Sequence, residues 1–210
     1  MRIVKNPDVR RAEILSVANQ LFQTKGYAKT AVDEIVRQAG IAKGTFYHYF
    51  KSKEEILEAL TEQLVNDMVM EARQITNDKK LNAIEKLAVI INKQNSLKNE
   101  KHDVVNSMHL PENRALHDRI NIKIVQLFGP ILADVITQGN QEKRFHVDDP
   151  LSTVQFILAG SLFLFGEGVF NWTNEEQQAR YHAMFTLIER TLAAKDGSMI
   201  NALKSSIKKH

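Results

Sequence analysis

Between Ile41 and Lys53 the chain reads Ile-Ala-Lys-Gly-Thr-Phe-Tyr-His-Tyr-Phe-Lys-Ser-Lys, with five ring-bearing side chains in a row from Phe46 to Phe50 and lysines on both sides. These residue types suit contact with nucleic acid. A lysine can donate to guanine acceptors or to a phosphate, a threonine can meet a thymine methyl, and a tyrosine hydroxyl is a common phosphate donor. Gly44 has no side chain and lets the backbone approach a phosphate or a base edge closely. On a helix, Phe46, Tyr49 and Phe50 fall at i, i+3 and i+4 and form one apolar face, whereas Lys43, Tyr47 and His48 point elsewhere and Thr45 lies near the boundary.

The elements that must position this segment are helical throughout, and no alternating strand pattern persists. The first helix spans about Asp8–Lys25, with Asn6 as cap, Pro7 at the first helical position, an apolar stripe of Ile14, Ala18, Leu21 and Phe22, and Gly26 at its end. The second starts at Thr30, whose hydroxyl is expected to cap the Asp33 N–H, and runs to Ala39. Gly40 supplies the turn and Lys43–Phe50 the third helix, preceded by Ala42, a poor cap. Two helices joined by such a turn make a helix-turn-helix, whose second helix lies in the DNA major groove.

Ser52-Lys53-Glu54-Glu55 is a capping box that opens a fourth helix reaching about Ile75. Further helices are expected at about 81–97, 102–108, and after Pro111. In the last of these Gly129-Pro130 should introduce a kink and Gly139 should close the helix. A polar loop follows at 140–149, then an apolar helix opened by Asp149-Pro150 and ending near Phe170. A last helix, opened by the capping box Thr173–Glu176, reaches about Lys195, and the tail from Asp196 reads as short, basic and frayed. The expectation is an all-α chain of nine to ten helices. Residues 1–53 are read as a helix-turn-helix DNA-binding domain and 54–210 as a helical ligand-binding and dimerisation domain.

The run Thr30-Ala31-Val32-Asp33-Glu34-Ile35, followed by Ala39-Gly40-Ile41 and the segment quoted above through Glu55, resembles the N-terminal signature of the TetR/AcrR transcriptional regulators. Ile14-Leu15, Ala18, Leu21-Phe22 and Gly26-Tyr27 match that family's first helix, and the resemblance covers about residues 8–60. It implies a cytoplasmic homodimer that represses by binding a palindromic double-stranded operator and lets go when a small molecule binds. By position, Thr30 would meet a phosphate, Lys43, Gly44, Thr45 and His48 would face bases or nearby backbone, and Tyr47 and Lys53 would hold phosphates. Tyr49 joins this set where the family often has His, and Ala42 stands where it often has Ser or Thr. Lys51 either joins the phosphate set or stays solvated.

The stretch Leu151–Phe170 is apolar nearly all round, so more than one of its sides must be covered. It is about long enough to span a bilayer, but Ser152, Thr153, Gln155 and Glu167 interrupt it, and it reads as a buried helix of a protein without membrane contact. Gly160 and Gly166 permit close helix approach. The resemblance implies that the last two helices of each subunit form a four-helix bundle, with Leu151, Leu158, Gly160, Leu162, Phe165, Gly166, Phe185 and Ile188 as the expected seam. A pocket for a small, largely apolar ligand is expected among Met68, Ile90, Ile91, Val104, Met108, Leu116, Leu127, Phe128, Phe156 and Phe163. Polar contacts could come from His102, His109, Asn113 and His117.

The charge is distributed unevenly. Residues 1–55 carry ten Lys/Arg against six Asp/Glu, and the remainder eighteen against nineteen, so the basic excess sits where a polyanion would bind. The absence of cysteine removes disulfides and thiolate chemistry and fits a reducing cytoplasm. No phosphate-binding glycine loop, nucleophile–His–Asp spacing or His-Glu-x-x-His helix is present, so no enzyme, metal or cofactor is expected. Two alternatives remain beside a repressor: a non-catalytic helical interaction protein, and a regulator that activates or lacks a small-molecule inducer.

Overall fold

The computed structural model describes residues 6–166, 170 and 172–207. They form ten α-helices and one 3-10 turn with no strand among the described residues: α1 (Pro7–Lys25), α2 (Val32–Gln38), α3 (Lys43–Tyr49), α4 (Lys53–Thr76), α5 (Ala83–Glu100), α6 (His102–Met108), the turn Pro111–Asn113, α7 (Arg114–Gln141), α8 (Pro150–Leu164), α9 (Asn174–Thr191) and α10 (Ser198–Ile207). Several ends are set by local chemistry. Asn6 accepts the Asp8 N–H with Pro7 at the first helical position, and Asp149 accepts the Ser152 N–H with Pro150 beside it. Thr173 and Glu176 cap each other's backbone reciprocally. Gly26 and Gly40 take φ of 84° and 62°, a region that costs a residue with a Cβ.

The chain forms two compact units. The first comprises the described residues up to Val65 together with Lys98–Ile120; the second comprises Asn66–Leu97 and the described residues from Asn121 on. α6 packs on α1 and brings a later stretch of chain into the first unit. The core of the first unit is built on Ile14, Ala18, Phe22, Ile35, Phe46 and Phe50, all essentially without solvent contact. Tyr27 sets its ring edge against Phe22, with centroids 5.1 Å apart.

In the second unit α7 runs unbroken through Pro130 and past Gly139 to Gln141. Gly139 therefore does not close the helix as expected. It leaves a socket for Phe145, whose ring carbon would lie 1.9 Å from a Cβ at that position. Lys86 is buried, and its ammonium donates to the Thr76 carbonyl at the end of α4 (2.5 Å) and to Gln138 Oε1 (2.7 Å). Residues 111–141 are long and apolar enough to cross a membrane by length and composition alone. However, Phe128, Ile131, Val135 and Ile136 in that stretch are buried within the unit, as in the core helix of a globular protein.

The end of the chain differs from the sequence reading. The apolar helix α8 stops at Leu164, short of Phe170; Glu167 and its neighbours to 169 lie outside the described residues. The stretch expected to be a frayed tail forms α10 instead. Its anchor is Glu189 on α9. The buried carboxylate accepts the Gly197 and Met199 N–H groups, both at 2.8 Å, so an acidic side chain sits at the positive end of α10. Asn92 on α5 donates to the Leu203 carbonyl (3.2 Å) and to Ser206. Replacing Glu189 by Ala leaves the two N–H groups without their acceptor and should cost about 2 kcal/mol. Hydrogen exchange should show α10 losing protection before the rest of the second unit.

Candidate nucleic-acid interface

The site begins at the turn between α2 and α3. The Ala39 N–H returns to Ile35, the Gly40 N–H to Arg37 and the Ile41 N–H to Val36, so α2 closes tightly before the chain turns into α3. Ala42 makes no side-chain cap; its carbonyl accepts from Thr45 and Phe46 to start α3. Phe46 and Phe50 turn inward, with ring centroids 6.3 Å apart, and Arg11 lies over the Phe50 ring at 5.0 Å. Two buried rings thus fix the inner face of a helix only seven residues long.

The opposite face is open. Lys43, Gly44, Tyr47 and His48 are exposed, and a Cβ at Gly44 would meet nothing within 4 Å. Tyr47 is 49% exposed, and its ring is braced edge-on against Phe46 at 5.4 Å, so the phenol is presented outward on a rigid base. Thr45 and Tyr49 are half-buried, and the Tyr49 ring meets His48 edge-on at 5.0 Å. Lys43 Nζ stands 2.6 Å from the Asp33 carboxylate, which by its hydrogen bond and its charge raises the Lys43 pKa.

Two residues expected to touch phosphate are otherwise engaged. Thr30 is only 2% exposed, and its hydroxyl donates to the Gly26 carbonyl (2.9 Å). α2 begins at Val32 with Ala31 at the cap and no side-chain cap bond, so the expected Thr30 cap on Asp33 is absent. A hydroxyl turned into the core and already donating offers a phosphate nothing. Lys53 donates to the Tyr27 carbonyl (2.9 Å) and lies 4.2 Å from the centre of the Tyr27 ring. It clamps the α1–α2 loop to the start of α4. Tyr27 completes the clamp by donating to Glu54 Oε1 (3.2 Å); burial first, and then the Glu54 charge, push its pKa up. The box at the start of α4 is also shifted. Glu55 N–H donates to Ser52 Oγ (3.3 Å), but the Glu55 carboxylate accepts from Lys51 N–H (2.6 Å) rather than from Ser52. The Lys51 side chain stays exposed.

Two participants were missed in the sequence: Asp33, read as the donor of an N–H to a cap and as part of the signature run, and Tyr27, read only as part of the first helix's pattern. Opposite charges on either side of the Gly40 turn were the signal available for Asp33.

Of the ten expected pocket residues, Val104, Met108 and Leu116 belong to the first unit and the other seven to the second. Met68, Ile90 and Phe128 are buried and Ile91 and Leu127 half-buried, whereas Phe156 is 81% exposed and Phe163 is also exposed. Asn113 is buried and commits its amide to the Ser107 carbonyl (2.7 Å). The His109 and His117 rings lie 5.0 Å apart, and His102 is exposed beside Asp103. Among the described residues no three His, Asp or Glu side chains are grouped as metal ligands would be.

The expected seam residues lie on α8 and α9 or just beyond α8. Gly160 and Leu151 are exposed, while Leu158, Leu162, Phe165, Gly166, Phe185 and Ile188 are half-buried. On α8 only Val154 is fully buried. Phe165 stacks on Tyr181 (4.1 Å, 6° between planes), and Leu187 is exposed on α9.

Residues 14–60 match the family described as bacterial regulatory proteins, tetR family, and residues 95–186 match a tetracyclin repressor-like C-terminal domain. The "Fatty acid metabolism regulator protein" of Bacillus subtilis is 30% identical over 169 residues, covering 79% of this chain and 84% of the relative. The chain belongs to the tetR family. This TetR-family protein is therefore a DNA-binding transcriptional regulator and not an enzyme. The HTH-type transcriptional regulator EthR of Mycolicibacterium smegmatis is 45% identical over 58 residues, which is 28% of this chain and 27% of EthR. Among solved structures, RolR in complex with resorcinol superposes with a TM-score of 0.61 at 19% identity, covering 95% of this chain and 93% of RolR. At that identity the likeness establishes the all-helical fold that the two proteins share.

Proposed function

We propose that this regulator is a cytoplasmic homodimeric repressor that grips a palindromic operator with the outer face of α3 and releases it when a small, largely apolar molecule binds. One observation carries the reading: a short helix anchored by Phe46 and Phe50 leaves Lys43, bare Gly44, Tyr47 and His48 on its open side. Lys43 is the base-reading donor, Tyr47 a phosphate donor, and His48 and Thr45 lie against bases or nearby backbone.

A second copy is the occupant favoured for the apolar side of α8 and α9. Phe156, Phe163 and Leu187 are exposed there, and exposed apolar surface of that kind marks a contact site. Two copies related by a twofold axis would set two α3 helices about one DNA turn apart. Phe156 and Phe163 thus go to the dimer seam, and the effector is assigned to Met68, Ile90, Ile91, Leu127 and Phe128 of the second unit. Three residues separate the end of α3 from the start of α4, and α4 contributes to both units, which makes it the covalent route for the switch. The effect of such a switch is limited by the effector's differential affinity for the two states. The name of the Bacillus subtilis relative supports genes of fatty acid metabolism as the regulated set.

The test is Lys43→Ala against operator variants, with affinity measured by fluorescence anisotropy. The variant should lose about 10-fold to 100-fold in affinity for the operator and should lose discrimination at one base pair. Equal weakening on every duplex would contradict the base-reading role of Lys43.

A further inference from the structure

The two carboxylates that open α2 have different surroundings. Glu34 is largely covered, its side chain 17% exposed, and pairs with Lys25 at the end of α1. It joins α1 to α2. Asp33, 72% exposed, instead reaches across the Gly40 turn to Lys43, itself 58% exposed, at 2.6 Å. A pair so open to water contributes little to stability. Its consequence lies in where it leaves the ammonium. A free lysine on a flexible four-carbon stem samples any phosphate within reach and binds all sequences alike. A carboxylate at its tip restricts that sampling and places a negative charge beside the ammonium, where it repels a phosphate.

We propose that Asp33 is a specificity-setting residue, a positioning carboxylate that holds the Lys43 ammonium toward the base edges and keeps it off the phosphate backbone. The role rests on the DNA-reading face assigned to α3. Asp33 acts through Lys43 and makes no contact with DNA itself. It lowers non-specific affinity more than operator affinity, because on the operator Lys43 gains a base acceptor that compensates for the restricted freedom.

The experiment uses the full-length protein and the duplex recovered with it from the genome, alongside a scrambled duplex, at several salt concentrations. Wild type, Asp33→Asn, Lys43→Ala and the double variant are compared by anisotropy. Asp33→Asn should bind scrambled duplex about 10-fold more tightly and operator only about 2-fold more tightly, with the salt dependence on scrambled duplex steeper by about one released ion. In the Lys43→Ala background the same change should move both duplexes by equal factors, since only the lost repulsion remains. Equal gains on both duplexes in the wild-type background would overturn the proposal and reduce Asp33 to a repelling charge. So would a new preference at one base pair that persists without Lys43, because Asp33 would then read the base directly. A wild-type protein that does not distinguish the duplexes would contradict the α3 reading itself, and this role with it.

Discussion

Phe46→Ala should destabilise the first unit by about 3–5 kcal/mol and abolish operator binding even though the side chain never faces DNA. Phe46 has no solvent exposure. Its ring packs edge-on against Tyr47 (5.4 Å) and sits 6.3 Å from Phe50. α3 has seven residues and no side-chain cap, too little to hold a helix by propensity alone. Its helicity therefore depends on the ring it buries and on Phe50 at its C-cap, and truncating Phe46 removes both a large apolar contact and the brace behind Tyr47. Circular dichroism melts should show the loss as an early transition. If the protein dimerises as proposed, its midpoint depends on concentration, so variants are compared at one protein concentration. A Phe46→Ala protein that melts like wild type would show that the rings do not hold α3 in place.

Gly139→Ala should destabilise the second unit, against the usual rule for a helix interior. Propensity alone favours alanine over glycine by about 1 kcal/mol. Here an added Cβ would lie 1.9, 2.4 and 2.8 Å from three carbons of the buried Phe145 ring, so the ring must move out of its socket. Overpacking of that kind costs about 3 kcal/mol at the upper end of its usual range, and it wins. Combining the change with Phe145→Leu should recover part of the loss, because the two positions share one space. A stabilised Gly139→Ala protein would mean that the ring has another place to go.

Features encoded within a few residues of one another were legible in the sequence. Asn6-Pro7, Gly26, Gly40 and the Thr173–Glu176 box each set an end through bonds or backbone preferences a few positions apart, and they stand where expected. The inner face of α3 was legible in part: of Phe46, Tyr49 and Phe50, at i, i+3 and i+4, the two phenylalanines are buried and Tyr49 is half-buried. Features that depend on distant partners were not legible. α10 needs Glu189, about one helix upstream, and Asn92, over a hundred residues away, so its own residues read only as a basic tail. Gly139 looked like a terminator because nothing local announces the Phe145 ring. Thr30 had two acceptable partners, a following N–H or a preceding carbonyl, and burial against α1 selected the carbonyl. The clamp of Lys53 on Tyr27, 26 residues earlier, was not legible because it closes only in the folded chain. α8 is apolar nearly all round, so its pattern could not say which side faces out, and the exposure of Phe156 and Phe163 was not legible.

The most direct test of the DNA-binding account is fluorescence anisotropy of the purified protein on duplex from upstream of its own gene and on duplexes recovered by genome-wide pull-down, each against a scrambled control over a range of salt. The account predicts tight, sequence-selective binding with two chains per site and a steep loss of affinity as salt rises. Weak binding that is equal on recovered and scrambled duplexes would contradict it and leave the open face of α3 without the role assigned here.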